Sequence, residues 1–541
     1  MEDAAPERSR GALTPWALVG AALAGMAIEL VPIGVRLANG EPPADAFWPS
    51  ALRALWLDFL LREQAGWLVV VMALALALVV GERQATNRVL SGVRVLSVVL
   101  AGWCLALVGT HYLLDWAFYR GAFILAPAAM AIGLIPSSVI WAFDEEKSRA
   151  VRGMAGAMGL AALMVITPAL PAAMDLLPTP PPSPTQGYGA NPGPFLTETT
   201  TLRYDMPSHV EDVLVEEQVD EVTLLTVTWP VYTVEPPGMR VPLGLIFHGY
   251  GAPTPSDYTD WTVHLAAKGM VVVHVAYPSY LDVPGREEPI VSGGRSDHPQ
   301  HALRMDAMSS MFATLEEDLL LSNESDTTGR LMGAVIDPSA LYLGGHSLGA
   351  GMAMMVAASA FERGWATEAL AVDLEQPYTH ASDPEIYGSL NERPEATLVH
   401  VALSEDDTSV DPCHGVAHAM RWTEEANVED VVLLQIPSDR HGFPPLIASH
   451  YLASTPVHDT LADHGFYRRV DAQAEWLVAT QRGDTTTAVF AAAHLLDHEL
   501  LTPMGEWSDG RTAVPLEVVE APYTEGAEWV DGCQDQVDVW S

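Results

Sequence analysis

The chain has 541 residues, 49% of them apolar, and its mean hydropathy of +0.16 is high for a protein that is soluble throughout. It carries 27 basic and 69 acidic side chains, a formal net charge of −42. A phosphate backbone needs positive charge in exchange for its counterions, so this balance excludes a nucleic-acid-binding role. The length allows two or three domains.

Apolar residues are concentrated in the first 176 residues. Five apolar runs separated by short charged loops occur there, at 16–35, 65–81, 95–114, 122–143 and 154–173. A bilayer core requires about 20 apolar residues of helix, so four runs are long enough and the second is marginal. Edge tryptophans such as Trp16 and Trp67 favour membrane spans over buried soluble helices. A cleavable signal peptide competes only for the first run, which contains Glu29 and lacks a convincing cleavage site.

Residues 1–176 are therefore predicted to form an all-α transmembrane region of about five helices, which attaches the protein to a membrane. Loop charge sets its orientation. Eight Arg and Lys residues fall on the side of the N-terminus and four on the opposite side. The positive-inside bias places the N-terminus in the cytoplasm and the residues after 176 in the periplasm or outside the cell.

A proline-rich stretch, residues 177–195, follows as a semi-rigid linker, because proline sustains neither a helix nor a central strand. Residues 196–541 hold a net charge of −40, nearly all of the negative charge of the chain. Cys413 and Cys533 both lie in this exported region. In an oxidising compartment they can pair as a disulfide; two free or buried thiols are the alternative. We find no Cys/His spacing typical of a zinc site.

The exported region alternates strand-like and helix-like segments. Six apolar, β-branched runs bounded by turn residues predict strands at 222–227, 242–247, 271–275, 340–343, 398–403 and 431–436. Helix-like stretches occur at 257–267, 302–321, 350–361 and 415–425. Strands that are apolar on both faces and alternate with helices indicate an α/β fold with a mostly parallel sheet covered on both sides.

The segment "ALYLGGHSLGAGMAMMVAASA" reads as a strand, a sharp turn and an alanine-rich helix. In that context Gly-x-Ser-x-Gly is typical of a nucleophile elbow, which presents Ser347 above the carboxyl edge of the sheet. A serine hydroxyl needs an imidazole base, and the base needs a carboxylate to fix its tautomer. The segment "SEDDTSVDP" follows one predicted strand and offers Asp406, Asp407 and Asp411, and "DRHGF" follows the next and offers His441.

The segment "GLIFHGYGAP" is a strand running into a glycine-rich turn upstream of the elbow. A backbone amide in such a turn can face a substrate carbonyl, so the backbone N–H groups of Tyr250 and Leu348 are the expected oxyanion-hole donors. His248 lies before the sharp turn, which favours a structural role for it.

These four segments, in this order, resemble the α/β-hydrolase superfamily, nearest to its chlorophyllase, dienelactone-hydrolase and platelet-activating-factor acetylhydrolase-like esterases. The resemblance covers about residues 222–479 and implies an α/β-hydrolase domain at 196–541. The acid loop of the family commonly reads Gly-x-x-Asp-x-x-Val, which Ser404-x-x-Asp407-x-x-Val410 matches except at its first residue. The resemblance thus selects Asp407 over Asp406 and implies the catalytic triad Ser347, Asp407 and His441.

The resemblance implies hydrolysis of a small or lipid-like carboxylic ester through an acyl-enzyme intermediate, with no cofactor and no metal. An acyltransferase or a serine peptidase would use the same triad, and a non-catalytic binding domain would keep the fold with a broken triad. The sequence does not identify the acyl group.

Overall fold

The computed structural model describes residues 15–39, scattered positions between 95 and 153, and residues 178–540 with gaps at 186, 190–191, 215–220, 234–237, 282–297, 322–330, 379–387, 443–444 and 455–459. The chain divides into two compact units. One comprises Met1–Thr179 with Gly442–Pro444, and the other comprises Pro180–His441 with Pro445–Ser541.

The first unit contains helix α1, Pro15–Ala38, whose apolar composition comes with exposed side chains such as Leu23 and Val31. Within α1, Val19–Ala38 is the one stretch among the described residues that is long and apolar enough to cross a membrane. Buried helices of soluble proteins and signal sequences meet the same length and hydropathy criteria. The predicted spans at 65–81, 122–143 and 154–173 lie outside the described residues, and the span at 95–114 is helical at its six described positions.

Helix α1 packs closely against the segment around residue 100. A Cβ atom built on Gly25 would lie 1.9 Å from the carbonyl oxygen of Val99, so this contact requires glycine. Glu29 is fully buried one turn further along α1, and its carboxylate accepts a hydrogen bond from Trp103 Nε1 over 2.6 Å.

The second unit is built on a sheet with nine described strands, in the order β1-β2-β4-β3-β5-β6-β7-β8-β9. The strands are Leu196–Arg203 (β1), Leu224–Val231 (β2), Arg240–Phe247 (β3), Val271–Val275 (β4), Val335–His346 (β5), Ala369–Glu375 (β6), Ala396–Ser404 (β7), Asp430–Ile436 (β8) and Glu517–Val519 (β9). Strands β3 to β8 pair in parallel, and β1, β2 and β9 add antiparallel edges. The prediction of an α/β fold with a mostly parallel sheet is confirmed.

Helices cover both faces of this sheet. The α-helices are Ser208–Glu211 (α2), Thr259–Ala267 (α3), His298–Thr314 (α4), Leu348–Glu362 (α5), Cys413–Met420 (α6), Thr460–Ala462 (α7), Arg468–Arg482 (α8), Thr485–Leu496 (α9), His498–Leu501 (α10) and Cys533–Trp540 (α11). Short 3₁₀ turns occupy Pro255–Tyr258 and Glu528–Val530, and π-helical turns occupy Leu315–Leu321, Arg421–Glu425 and Asp463–Tyr467. Two apolar cores form, one between the sheet and α4, α5 and α6, the other between the sheet and α3, α8 and α9.

Strand β6 carries two acidic side chains into the second core. Asp373 and Glu375 are fully buried and both pair with the buried guanidinium of Arg469 on α8, at 3.1 Å for Asp373 and at close contact for Glu375. The Tyr342 hydroxyl also donates to Asp373 over 3.0 Å. Burial raises the pKa of both carboxyls, and the charge of Arg469 opposes that rise.

From Pro180 onward, the proline-rich stretch belongs to the second unit and packs within it. Gly189 N–H donates to Asp471 Oδ2 over 2.8 Å, and the Tyr188 hydroxyl donates to Glu475. The Tyr188 ring lies 5.0 Å from the ring of His494 on α9, with the two planes nearly perpendicular. This part of the linker is therefore held on the domain by specific contacts.

Candidate active site

Ser347 occupies a sharp turn between β5 and α5. Its backbone angles, φ 56° and ψ −123°, lie in a region that non-glycine residues seldom adopt. Hydrogen bonds on both sides hold this conformation. Ser347 N–H donates to the Glu375 carbonyl over 2.9 Å, and its own carbonyl accepts from the amides of Ala350 and Tyr378, each over 3.0 Å. The turn presents Ser347 at the carboxyl edge of the parallel strands, as expected for a nucleophile elbow.

Two glycines make the turn sterically possible. A Cβ on Gly345 would lie 2.2 Å from the carbonyl oxygen of Gly349, and a Cβ on Gly349 would lie 2.1 Å from the carbonyl oxygen of Phe247. The second contact also shows that the N-terminus of α5 approaches the end of β3, where the glycine-rich loop begins. The spacing Gly-x-Ser-x-Gly therefore follows from backbone contacts on both sides of the serine.

Asp407 lies in the loop after β7 and is almost completely buried. Its Oδ1 accepts hydrogen bonds from the backbone amides of Ser409 and Val410, over 2.7 and 3.0 Å. Its Oδ2 accepts one from Nδ1 of His450 over 2.7 Å. Asp406, the competing carboxylate, instead receives the Arg440 guanidinium at 2.6 Å and the Ser438 hydroxyl. Of the two neighbouring carboxylates, Asp407 is thus the one that contacts an imidazole.

His450, which the sequence did not indicate as a site residue, is the histidine that the structure brings to Asp407. Its ring lies 4.7 Å from the ring of His346, the residue before Ser347. The loop after β8 returns to the loop that carries Asp407, which brings His450 to that carboxylate. Asp406 N–H donates to the Ala448 carbonyl over 2.8 Å, two residues before His450. Because Nδ1–H of His450 donates to Asp407, Nε2 is the nitrogen left to accept a proton.

His441, the base expected from the sequence, is not brought to Asp407. Its Nδ1 accepts a hydrogen bond from Arg511 over 2.8 Å, and its Nε2 donates to Asp509 over 2.7 Å. Its ring also packs edge-on against Trp507 at 5.6 Å. Both ring nitrogens are thus engaged by the C-terminal segment.

His441 is favoured by the sequence because it directly follows β8, in the order serine, acid, histidine. The loop carries on past it, and His450 comes 14 residues after the end of β8. The available signal was the apolar run Leu446 to Ala448, which the structure shows to be buried. Spacing alone does not distinguish that return from an ordinary insertion.

The glycine-rich loop lies at the end of β3. Gly249 N–H donates to the Tyr258 hydroxyl over 2.8 Å, and Gly251 N–H donates to Ser279 Oγ over 3.0 Å. Tyr250, an expected oxyanion donor through its amide, is half-buried, and its ring lies 5.9 Å from that of Tyr280. Leu348, the other expected donor, is the first residue of α5 and is buried. An amide at a helix N-terminus points along the positive end of the helix dipole.

Buried neutral histidines surround this loop. His248 Nε2 accepts a hydrogen bond from Tyr277 N–H over 3.1 Å, and its Nδ1–H donates to the Gly249 carbonyl over 2.6 Å. Burial lowers the pKa of His248 to about 4. Both of its ring nitrogens are used by the backbone, which matches the structural role expected for it.

A disulfide joins Cys413 to Cys533, with an S–S distance of 2.00 Å and a Cα–Cα distance of 5.0 Å. It links α6, which starts six residues after Asp407, to the C-terminal helix α11. The predicted pairing of these two cysteines is confirmed.

No protein-family model matches the chain, and no curated protein matches it. Among solved structures, an esterase from Pseudomonas putida is similar at 18% identity and a TM-score of 0.28, covering 55% of this chain and 84% of that one. A fungal esterase from Rhizomucor miehei is similar at 14% identity and a TM-score of 0.32, covering 54% and 84%.

Proposed function

We propose that the protein is a serine hydrolase that cleaves carboxylic esters with Ser347 as nucleophile, His450 as general base and Asp407 as the acid that orients the base. The observation that carries this proposal is the coincidence of two independent features at one edge of the sheet. One is the strained turn at Ser347, and the other is the buried Asp407–His450 hydrogen bond, whose histidine lies against the residue preceding that turn.

In the proposed reaction, the Ser347 hydroxyl oxygen attacks the ester carbonyl carbon while His450 Nε2 takes the hydroxyl proton. Asp407 holds the Nδ1–H tautomer and stabilises the imidazolium. The oxyanion is stabilised by the amides of Tyr250 and Leu348. The intermediate then collapses, and His450 returns the proton to the departing alcohol. Water, deprotonated by His450, releases the acid from the acyl-enzyme in the same way.

The test is reaction of the full-length protein with a fluorophosphonate probe, together with turnover of p-nitrophenyl esters of increasing chain length. Ser347→Ala is expected to abolish labelling, and Ser347→Ala and His450→Ala to lower kcat by on the order of 10⁴-fold or more. His441→Ala is the matched control, because it removes a histidine of the same loop that contacts Asp509 and Arg511 instead of Asp407. Turnover that survives in Ser347→Ala would refute the proposal, and loss in His441→Ala with retention in His450→Ala would refute the choice of base.

We further propose that helix α1 anchors the protein to a membrane and that the hydrolase unit faces an oxidising, extracytoplasmic compartment. The exposed apolar side chains of α1 and the Cys413–Cys533 disulfide support this location, because disulfides persist where thiols are not kept reduced. Alkaline phosphatase fused to the C-terminus should be active in intact cells. An inactive fusion in cells that produce the full-length chain would contradict this orientation.

A further inference from the structure

Two buried side chains, Tyr258 and His346, connect the glycine-rich loop to the loop that carries His450. Gly249 N–H donates to the Tyr258 hydroxyl over 2.8 Å, and that hydroxyl lies 3.2 Å from Nδ1 of His346. On the other side of the same imidazole, Nε2 lies 2.6 Å from the backbone carbonyl oxygen of His450. Three bonds thus run in series from the oxyanion loop to the proposed base.

The direction of each bond follows from which atoms can donate. The His450 carbonyl only accepts, so His346 Nε2 carries the proton. Burial holds the pKa of His346 well below its ordinary value, so the ring is neutral and Nδ1 is an acceptor. Tyr258 therefore donates to Nδ1 and accepts from Gly249.

We propose that Tyr258 and His346 are positioning residues that fix the oxyanion loop and the base loop relative to each other; this inference rests on the proposed triad. His346 immediately precedes Ser347, so one imidazole ties the nucleophile turn to both loops. Neither side chain is assigned a contact with substrate. Their effect is exerted through Gly249, next to the Tyr250 amide, and through the backbone of His450.

The loop between β8 and α7, which carries His450 and is called the base loop here, contains no regular helix or strand among its described residues. The described part of the chain between β8 and α7 is held by isolated backbone pairs, Asp406 with Ser449 and, within the loop, Asp439 with Leu446, and by side-chain hydrogen bonds such as those of Asp439 with Trp507. The bond from His346 acts on His450 itself. Close approach reinforces it, because a Cβ on Gly249 would lie 3.0 Å from Nδ1 of His346, leaving no room for the loop to shift inward.

The decisive variant is Tyr258→Phe, which keeps the buried ring and removes the hydroxyl. We expect kcat for p-nitrophenyl esters to fall about 10- to 100-fold, with KM changed less than about 2-fold, because misplacement of the reacting groups weakens the transition state more than substrate binding. His346→Leu should behave alike. His346→Gln, whose amide N–H can replace Nε2–H, should recover most of the lost kcat.

Tyr204→Phe is the matched control. Tyr204 is also buried, and its hydroxyl donates to backbone carbonyls at the β2–β4 end of the sheet, Val222 at 2.7 Å and Ala276 at 3.0 Å. It should lose stability without losing kcat per site, with sites counted by fluorophosphonate titration. A Tyr258→Phe enzyme with wild-type kcat per titrated site would overturn the positioning role even if the His346 variants failed to fold. In that case Ser347→Ala and His450→Ala would remain inactive, whereas failure of the proposed function would leave them active.

Discussion

Removal of the Cys413–Cys533 disulfide is expected to destabilise the protein by a large and calculable amount. The bond closes a loop with a sequence separation of 120 residues. In the chain-entropy model, a loop of this size restricts the unfolded chain enough to stabilise the folded state by about 5 kcal/mol. Both cysteines are buried, so Cys413→Ala/Cys533→Ala avoids placing new polar groups in the core.

The assay is urea unfolding of the full-length protein without reductant, followed by tryptophan fluorescence. The double variant should unfold at a markedly lower urea concentration, and reductant should move the wild-type curve toward that of the variant. Cys104→Ala is the control, because it removes the third cysteine and leaves the disulfide intact; reductant should still shift its curve. Equal unfolding midpoints of wild type and double variant would refute the reasoning.

Two further predictions concern buried charge and buried histidine. His274 is fully buried, and among the described residues neither of its ring nitrogens has a hydrogen-bond partner; burial lowers its pKa to about 3. The unfolded chain, with an ordinary histidine pKa of about 6.5, therefore binds more protons as the pH falls, so His274 destabilises the fold progressively below that pH. As the pH is lowered from 7.5 to 5, the free energy of unfolding of His274→Phe, measured by urea titration, should rise by about 2 kcal/mol relative to that of the wild type. Parallel pH profiles of the two proteins would contradict this. Arg469→Met leaves Asp373 and Glu375 buried without their cation and should lower the free energy of unfolding by about 3–5 kcal/mol. Adding Asp373→Asn and Glu375→Gln should restore most of that free energy. No recovery in the triple variant would contradict the pairing.

The central strands could be predicted because they are apolar on both faces. Strands β3, β4, β5, β7 and β8 all overlap predicted segments, and β4 coincides with its prediction at both ends. Strand β6 was missed because "ALAVDLE" carries two carboxylates, and acidic residues argue against a buried strand. Arg469 compensates them from almost 100 residues further along the chain. A contact at that separation leaves no local pattern.

The elbow and the acid loop were recognisable because their chemistry lies within a few residues. Ser347 needs its flanking glycines, and Asp407 uses amides two and three residues ahead of it. The histidine is different, because its position is set by how far a loop travels before it returns. His441 contacts the carboxylate of Asp509, and His450 contacts that of Asp407. Only the fold shows that Asp407, at the edge of the sheet, is paired with His450.

The C-terminal segment, which has no counterpart in the family resemblance, supports the base loop from outside. Asp439, near the start of that loop, accepts hydrogen bonds from Trp507 Nε1 over 2.8 Å and from Val514 N–H over 3.0 Å. Asp439 also forms an isolated backbone pair with Leu446, so this one residue connects the C-terminal segment to the part of the loop that precedes His450. His441 belongs to this support through Asp509. His441, the histidine favoured by its position in the sequence, thus contacts the segment that supports the loop presenting His450, the base that we propose.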